Sequence, residues 1–130
     1  MKSNQNNNRI IQILEPSEVI RRFNDAFLRH DPSGLADLIA KNCVLENTGP
    51  APDGSRHKGR AACLAVWQDI ATTKGIRFAT EDIVVTGDRA IIRWRLYWGK
   101  RKAQSVRGVN LMRMRNGLIV EAFGYIKGGD

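Results

Sequence analysis

Moving a proton inside an apolar fold takes an Asp, Glu, His or Tyr aimed into an enclosed space, and two strand-like runs of this chain carry asparagine instead. Asn47 and Asn110 sit on two strand-like runs, 43–48 (CVLENT) and 105–115 (SVRGVNLMRMR). An amide has donors and an acceptor but no useful protonation equilibrium. It can orient a carbonyl or hydroxyl; it cannot relay a proton as a carboxylate does. Asparagine is disfavoured on strands, and when buried it needs partners. Those partners are either a bound molecule or neighbouring amides, tyrosines and water. The nearby acids are Glu46 and Glu121. If Asn47 points inward, strand alternation turns Glu46 away; if Ala122 and Gly124 point inward, Glu121 faces out with Phe123 and Tyr125. A β-bulge would reverse either placement. His57, in a loop ahead of a helix, is the one weak catalytic candidate, set against its reading as a solvated loop histidine. His30 and His57 are isolated, and Cys43 and Cys63 lack paired metal-ligand spacing, so neither a metal site nor a cofactor is expected. The two cysteines read as buried, reduced thiols.

The elements that would position these groups follow from periodicity. Glu15-Pro16-Ser17-Glu18 opens a helix with the apolar stripe Val19, Ile20, Phe23, Ala26, Phe27, ending near His30. Asp31 caps a second helix, with Pro32 at its first position and Leu35, Leu38 and Ile39 on its apolar side; the two form a hairpin. The strand 43–48 breaks at Gly49-Pro50-Ala51-Pro52-Asp53-Gly54, and Gly59-Arg60 opens a third helix over 61–71. Extended runs follow at 76–86, 90–98, 105–115 and 118–126, with turn signals at Gly87-Asp88, Lys100-Arg101-Lys102 and Asn116-Gly117. The order α-α-β-α-β-β-β-β predicts an α+β fold, a curved antiparallel or mixed sheet wrapped around helices and leaving an internal pocket. Its expected lining is Phe23, Phe27, Asn47, Trp67, Ile92, Trp94, Leu96, Asn110 and Met112. Trp67, Trp94 and Trp98 also read as core bulk.

At 130 residues the chain fits one domain, 15–130, behind a polar, flexible lead-in at 1–14 that is Asn-rich over 1–8. No apolar run approaches the roughly 20 residues of a membrane helix, and no secretory pattern opens the chain, so a cytoplasmic location without membrane contact is expected. The net charge of +8 invites a nucleic-acid reading. However, Arg93, Arg95, Arg107, Arg113 and Arg115 alternate with apolar residues, as on the solvated or subunit-facing side of a sheet. Only Lys100-Arg101-Lys102 is a cluster, and nucleic-acid binding is not expected.

Leu45-Glu46-Asn47-Thr48, the loop 50–54, Gly59-Arg60, Gly87-Asp88-Arg89 into Arg93-Trp94, Arg107-Gly108-Val109-Asn110 and Arg113-Met114-Arg115-Asn116-Gly117 give the chain a family likeness over about 16–127. It resembles the nuclear transport factor 2-like superfamily, and within it the SnoaL-like polyketide cyclase group. The resemblance implies a cone with a pocket at its wide end and a homodimer paired through the outer sheet face. It also locates what is missing. The steroid-isomerase type uses a first-helix Tyr, a first-strand carboxylate and a protonated Asp, at places that look like Phe23, Asn47 and Asn110. The cyclase acid falls on Asn110. The Arg and two Asp of the epoxide-hydrolase type fall on Gly108, Asn110 and Gly124. The expectation is therefore a pocket protein for a small apolar or aromatic molecule. The alternative is a cofactor-independent isomerase, cyclase or hydrolase with a non-standard acid/base, which an ionisable side chain near the cavity centre would favour. A further class is an interaction module using the basic surface.

Overall fold

The computed structural model describes residues 12–128; the Asn-rich segment 1–8 lies outside them. Helix α1 (Pro16–Leu28) begins with proline in its first turn, where a missing N–H leaves no bond unmade. The stripe Val19, Ile20, Phe23, Ala26, Phe27 is buried, as its spacing predicts. Asp31 caps the next segment by accepting the Ser33 N–H at 3.0 Å. That segment, Pro32–Leu38, is a 3-10 helix, and Ile39 already begins strand β1 (Ile39–Glu46). The helical spacing through Ile39 therefore overshoots. Leu35 and Leu38 bury themselves in a tight connector, and Ile39 pairs with Ile119 instead.

A second departure concerns His57. The sequence places it in a loop; the structure places it on β2 (Arg56–Lys58), which pairs antiparallel with β1 through Leu45↔His57 and Glu46↔Arg56. No alternation announces a three-residue strand reading Arg-His-Lys. The loop 49–54 creates it by folding the chain back: the Asn47 N–H donates to Ser55 O at 2.9 Å, and the Ser55 N–H donates to Gly49 O at 2.9 Å.

Helix α2 (Arg60–Thr72) then buries Cys63, Trp67 and Ala71. The remaining strands are β3 (Arg77–Thr86), β4 (Arg89–Tyr97), β5 (Ser105–Arg115) and β6 (Leu118–Ile126). The sheet order is β2-β1-β6-β5-β4-β3, with only β1 and β6 parallel. Asn116 and Gly117 both take positive φ, 53° and 77°, which a type I′ hairpin turn demands. The sheet curves around α1 and α2, and its inner face forms the core with them. Leu14, ahead of α1, packs against that core.

Both thiols are fully buried, and the Cys63 thiol donates to Cys43 O at 3.5 Å. Burial pushes the Cys43 thiol up to about 12 and raises that of Cys63 too. Since the thiolate is the nucleophile, neither cysteine should react with an aromatic disulfide reagent at mildly alkaline pH until the chain is unfolded, when both should. Fast titration of the native protein would contradict this packing.

On the outer face, Val84, Ile91, Leu111 and Phe123 stand in register across four strands. Arginines flank this row, and four of them are paired with acids within the sheet. Arg93 pairs with Asp82 (3.8 Å), Arg95 and Arg107 both pair with Glu81 (3.4 and 2.9 Å), and Arg113 pairs with Glu121 (3.1 Å). An irregularity between Thr80 and Asp82 puts Glu81 beside the other outer-face residues. Hydrogen bonds from Arg113 and Arg107 hold the carboxyls of Glu121 and Glu81 below their ordinary values. A carboxylate whose folded pKa is depressed stabilises above the unfolded value of about 4.3 and loses that contribution as pH falls through the folded value. The urea midpoint should therefore hold between about pH 7 and 5 and drop below about pH 4. Glu121→Gln should flatten part of that acid limb; an unchanged limb would mean the Arg113 pair contributes nothing.

Candidate ligand cavity

The curve of the sheet and the inner sides of α1 and α2 enclose a cavity of about 270 Å³, at the small end of ligand sites. One wall is a run of rings in tilted and edge-to-face contact. Trp67 meets Phe23 with centroids 4.9 Å apart, Phe23 meets Phe27 at 5.0 Å, Phe27 meets Phe78 at 5.9 Å, and Phe78 meets Trp94 at 5.7 Å. These separations are those of favourable aromatic pairs. Phe23 and Phe27 meet because they lie one helical turn apart.

The polar groups are few. Asn110 Oδ1 accepts from Trp94 Nε1 at 3.2 Å. An indole N–H only donates, so this bond fixes which way the amide faces. Its Nδ2 finds no acceptor among the described residues and is free to donate. Two glycines make room for the arrangement. Gly108 lies opposite Trp94 in the ladder, and a Cβ there would come 2.2 Å from Trp94 Cη2. Gly124 lies opposite Asn110, and a Cβ there would come 3.3 Å from Oδ1. Asn47 Oδ1 accepts the Thr48 N–H at 2.9 Å, and Asn24 Nδ2 donates to Thr80 Oγ1 at 2.7 Å.

Of the nine residues expected on the wall, Phe23, Phe27, Asn47, Trp67, Ile92, Trp94, Leu96 and Asn110 are on it. Met112 is not. It sits one pair deeper, between Ala90 and Ala122, where the core is closed, and is 2% exposed. The sequence reading missed Asn24, Phe78 and Thr80. Asn24 follows Arg21 and Arg22 on what looks like the polar side of α1, yet it lines the cavity and meets Thr80 of β3. Trp98, read as core bulk, is 54% exposed because β4 ends at Tyr97.

Glu46 borders the cavity, but its carboxylate turns to Arg56 Nη1 at 2.5 Å. Glu121 is held by Arg113 on the outer face. The irregularity in the β5–β6 pairing falls between Arg113 and Met114, before Ala122 and Gly124, so the alternation that turns Glu121 outward is intact. His57 is not on the wall. Its Nε2 lies 2.9 Å from Ser55 Oγ at the β2 edge. Among the described residues no group of three His, Cys, Asp or Glu could hold a metal ion, and no helix is long and apolar enough to cross a membrane.

The profile of the SnoaL-like domain matches residues 20–122. The chain belongs to the SnoaL-like domain family. No curated protein matches this SnoaL-like domain, but solved structures do. A nuclear transport factor 2-like protein of unknown function from Mesorhizobium loti is 57% identical, over 87% of this chain and 91% of its own, with a TM-score of 0.81. A steroid delta-isomerase from Pseudomonas aeruginosa is 17% identical over 87% of this chain and 80% of its own, TM-score 0.71. A protein of unknown function with a cystatin-like fold from Methylobium petroleophilum is 18% identical over 88% and 77%, TM-score 0.70. The last two likenesses show the fold alone. This SnoaL-like domain has the nuclear transport factor 2-like α+β cone that its motifs imply.

Proposed function

We propose that this SnoaL-like domain holds a small aromatic or alicyclic molecule in its cavity, oriented by a carbonyl that accepts from Asn110 Nδ2, without the proton relay of isomerase, cyclase or epoxide-hydrolase relatives. The observation that carries this reading is the Trp94–Asn110 bond. It spends the amide oxygen on the protein and leaves a donor facing an aromatic-walled space. The charged group nearest that space, Glu46, is engaged by Arg56.

One probe tests both halves. 2-Acetylnaphthalene should quench tryptophan fluorescence and bind about 5–10-fold more tightly than 2-ethylnaphthalene, the worth of one hydrogen bond. Asn110→Ala should erase the difference. Equal affinities in the unmodified protein would overturn the carbonyl assignment. In deuterated water, catalytic amounts of the protein should not speed exchange of the acetyl protons. Acceleration would show that a base reaches them and would establish the enzymatic alternative.

A second copy of the chain is the proposed occupant of the outer sheet face. Val84, Ile91 and Leu111 are 45%, 42% and 40% exposed there, and Arg93, Arg95, Arg107 and Arg113, four of the five arginines that the sequence placed at this interface, rim it already paired with acids. Such a patch can meet its own copy about a twofold axis, with the unpaired Arg89 and Arg115 at the strand ends where water can solvate them. Sedimentation at micromolar concentration should give a dimer, and Leu111→Asp a monomer; a monomeric unmodified protein would refute the pairing.

A further inference from the structure

The cavity opens at the end of the sheet where β3 and β5 begin and β4 and β6 finish. Phe78 pairs with Leu96, and Leu96 with Val106. The Trp98 N–H then donates to Gln104 O at 3.0 Å, carrying the ladder past the strand ends into the loop 98–104. That loop is braced. The Gln104 side chain accepts the Arg101 N–H at 3.2 Å and lies so close over Gly99 that a Cβ there would come 2.3 Å from Oε1. It presents Lys100, Arg101 and Lys102 beside the exposed Trp98.

Other cations arrive at the same end on other elements. Lys74 precedes β3. Arg77 opens β3 with its guanidinium 4.1 Å above the Tyr97 ring. Lys127 follows β6, and its N–H donates to Arg107 O at 2.8 Å. Thr73, Ile76 and Leu96 come from these same segments and line the cavity, so the cations stand around its mouth. The acids on the segments at this end are Asp53, in the loop 49–54, Asp69, on the last turn of α2, and Glu46, at the end of β1, whose carboxylate Arg56 engages.

What marks this end is the number of cations without charge partners that gather there. Arg21, Arg22 and Arg29 of α1 and Arg93, Arg95, Arg107 and Arg113 of the outer sheet face have carboxylates within 4 Å. Among the described residues, Lys74, Arg77, Lys100, Arg101, Lys102 and Lys127 have none. Lys41, Lys58, Arg60, Arg89 and Arg115 likewise have none, on β1, β2, α2 and the opposite ends of β4 and β5, whereas the six at the mouth stand together next to an apolar, aromatic interior. Each such cation attracts an anion at contact distance by about 1 kcal/mol in water, within a screening length of about 8 Å at physiological salt.

We infer that the molecule held in the cavity is an amphiphilic anion, with its ring body against the aromatic wall and a carboxylate left at the mouth facing loop 98–104. This rests on the proposed binding function and adds the charged end. A carboxylate inside would lose its hydration with no cation to replace it; at the mouth it stays wet and meets several.

The test compares 6-acetyl-2-naphthoic acid with its methyl ester, two probes matched in ring and acetyl group. At about 0.02 M salt the acid should bind about tenfold more tightly than the ester, and at about 0.5 M the two should converge. In Lys100→Ser/Arg101→Ser/Lys102→Ser the preference for the acid should largely vanish, with ester affinity unchanged. An ester that binds as well as the acid at low salt overturns the inference and leaves the cavity reading standing. So does an acid preference that survives the triple substitution. Failure of both probes to bind overturns the two together. The salt series on the unmodified protein decides the matter even if the triple variant folds poorly.

Discussion

Gly54→Ala should cost this domain about 3 kcal/mol, an unusually large loss for one methyl group in a loop. Gly54 takes φ +80°, and a Cβ built there would lie 1.9 Å from the backbone oxygen of Asn47. That oxygen cannot yield cheaply. The Asn47 N–H is bound to Ser55 O, Ser55 N–H to Gly49 O, and Gly54 N–H to Pro50 O, so relieving the clash means opening the whole turn between β1 and β2. Asn47 is also on the cavity wall, and probe affinity should fall with stability. Gly49 is the control. It lies in the same loop without a positive φ, and a Cβ added to it would meet nothing within 4 Å. Gly49→Ala should therefore stay within about 0.5 kcal/mol of the unmodified protein. Urea midpoints at unchanged slope give both numbers. If Gly54→Ala and Gly49→Ala behave alike, the close approach at Asn47 is not what shapes the loop.

Strands β5 and β6 are readable from the chain because two independent signals agree over them. Alternation runs through 105–115 and 118–126, and Asn116-Gly117 is the turn chemistry that joins them. Their observed bounds are the expected ones. The α1 stripe is readable for the same reason, a helical period that ends where Asp31-Pro32 restarts the chain. What escapes is whatever depends on a partner that sequence order does not reveal. β2 exists because a turn delivers three charged and polar residues to a free edge. Asn24 looks solvated because its neighbours in α1 are charged, and it meets the cavity only because β3 curves over the helix to Thr80. Trp98 continues the inward parity of Leu96, but the sheet ends one residue earlier, and parity without packing buries nothing. Met112 shares the parity of Asn110; alternation fixes its face but not its depth, and one register pair separates cavity wall from closed core. The outer arginines show the same limit. Alternation places them on one face, while their pairing with Glu81 needed an irregularity in β3 that no local pattern encodes.

Asn110→Asp is the substitution that asks most directly what the neutral amide is for. It changes one atom and keeps the shape. The Trp94 N–H can still donate to the new carboxylate, one bond for a charge that wants several. Around it lie Trp94, Ile92, Gly108 and Gly124, and no cation among the cavity-lining residues. Burial in that setting disfavours the charged form, so the folded-state pKa of the introduced acid should stand above its unfolded value of about 3.9. The sign follows from linkage. Below about pH 4 the acid is protonated in both states and the variant should nearly match the unmodified protein. As pH rises toward the folded value the unfolded chain ionises first, and the variant should lose about 1.4 kcal/mol for each unit of separation. With a separation of about two units, the deficit near neutrality would be about 3 kcal/mol. The measurement is the difference in urea-derived stability between the two proteins at a series of pH values from 4 to 8. A deficit that grows with pH and then levels places Asn110 in a dry, apolar site, where a relative's acid would need to be held protonated to donate a hydrogen bond and where asparagine donates one at every pH. A difference that stays flat across the range would mean that water reaches the amide and solvates the charge, and the cavity would then lack the dryness that makes its single free N–H worth a ligand's carbonyl.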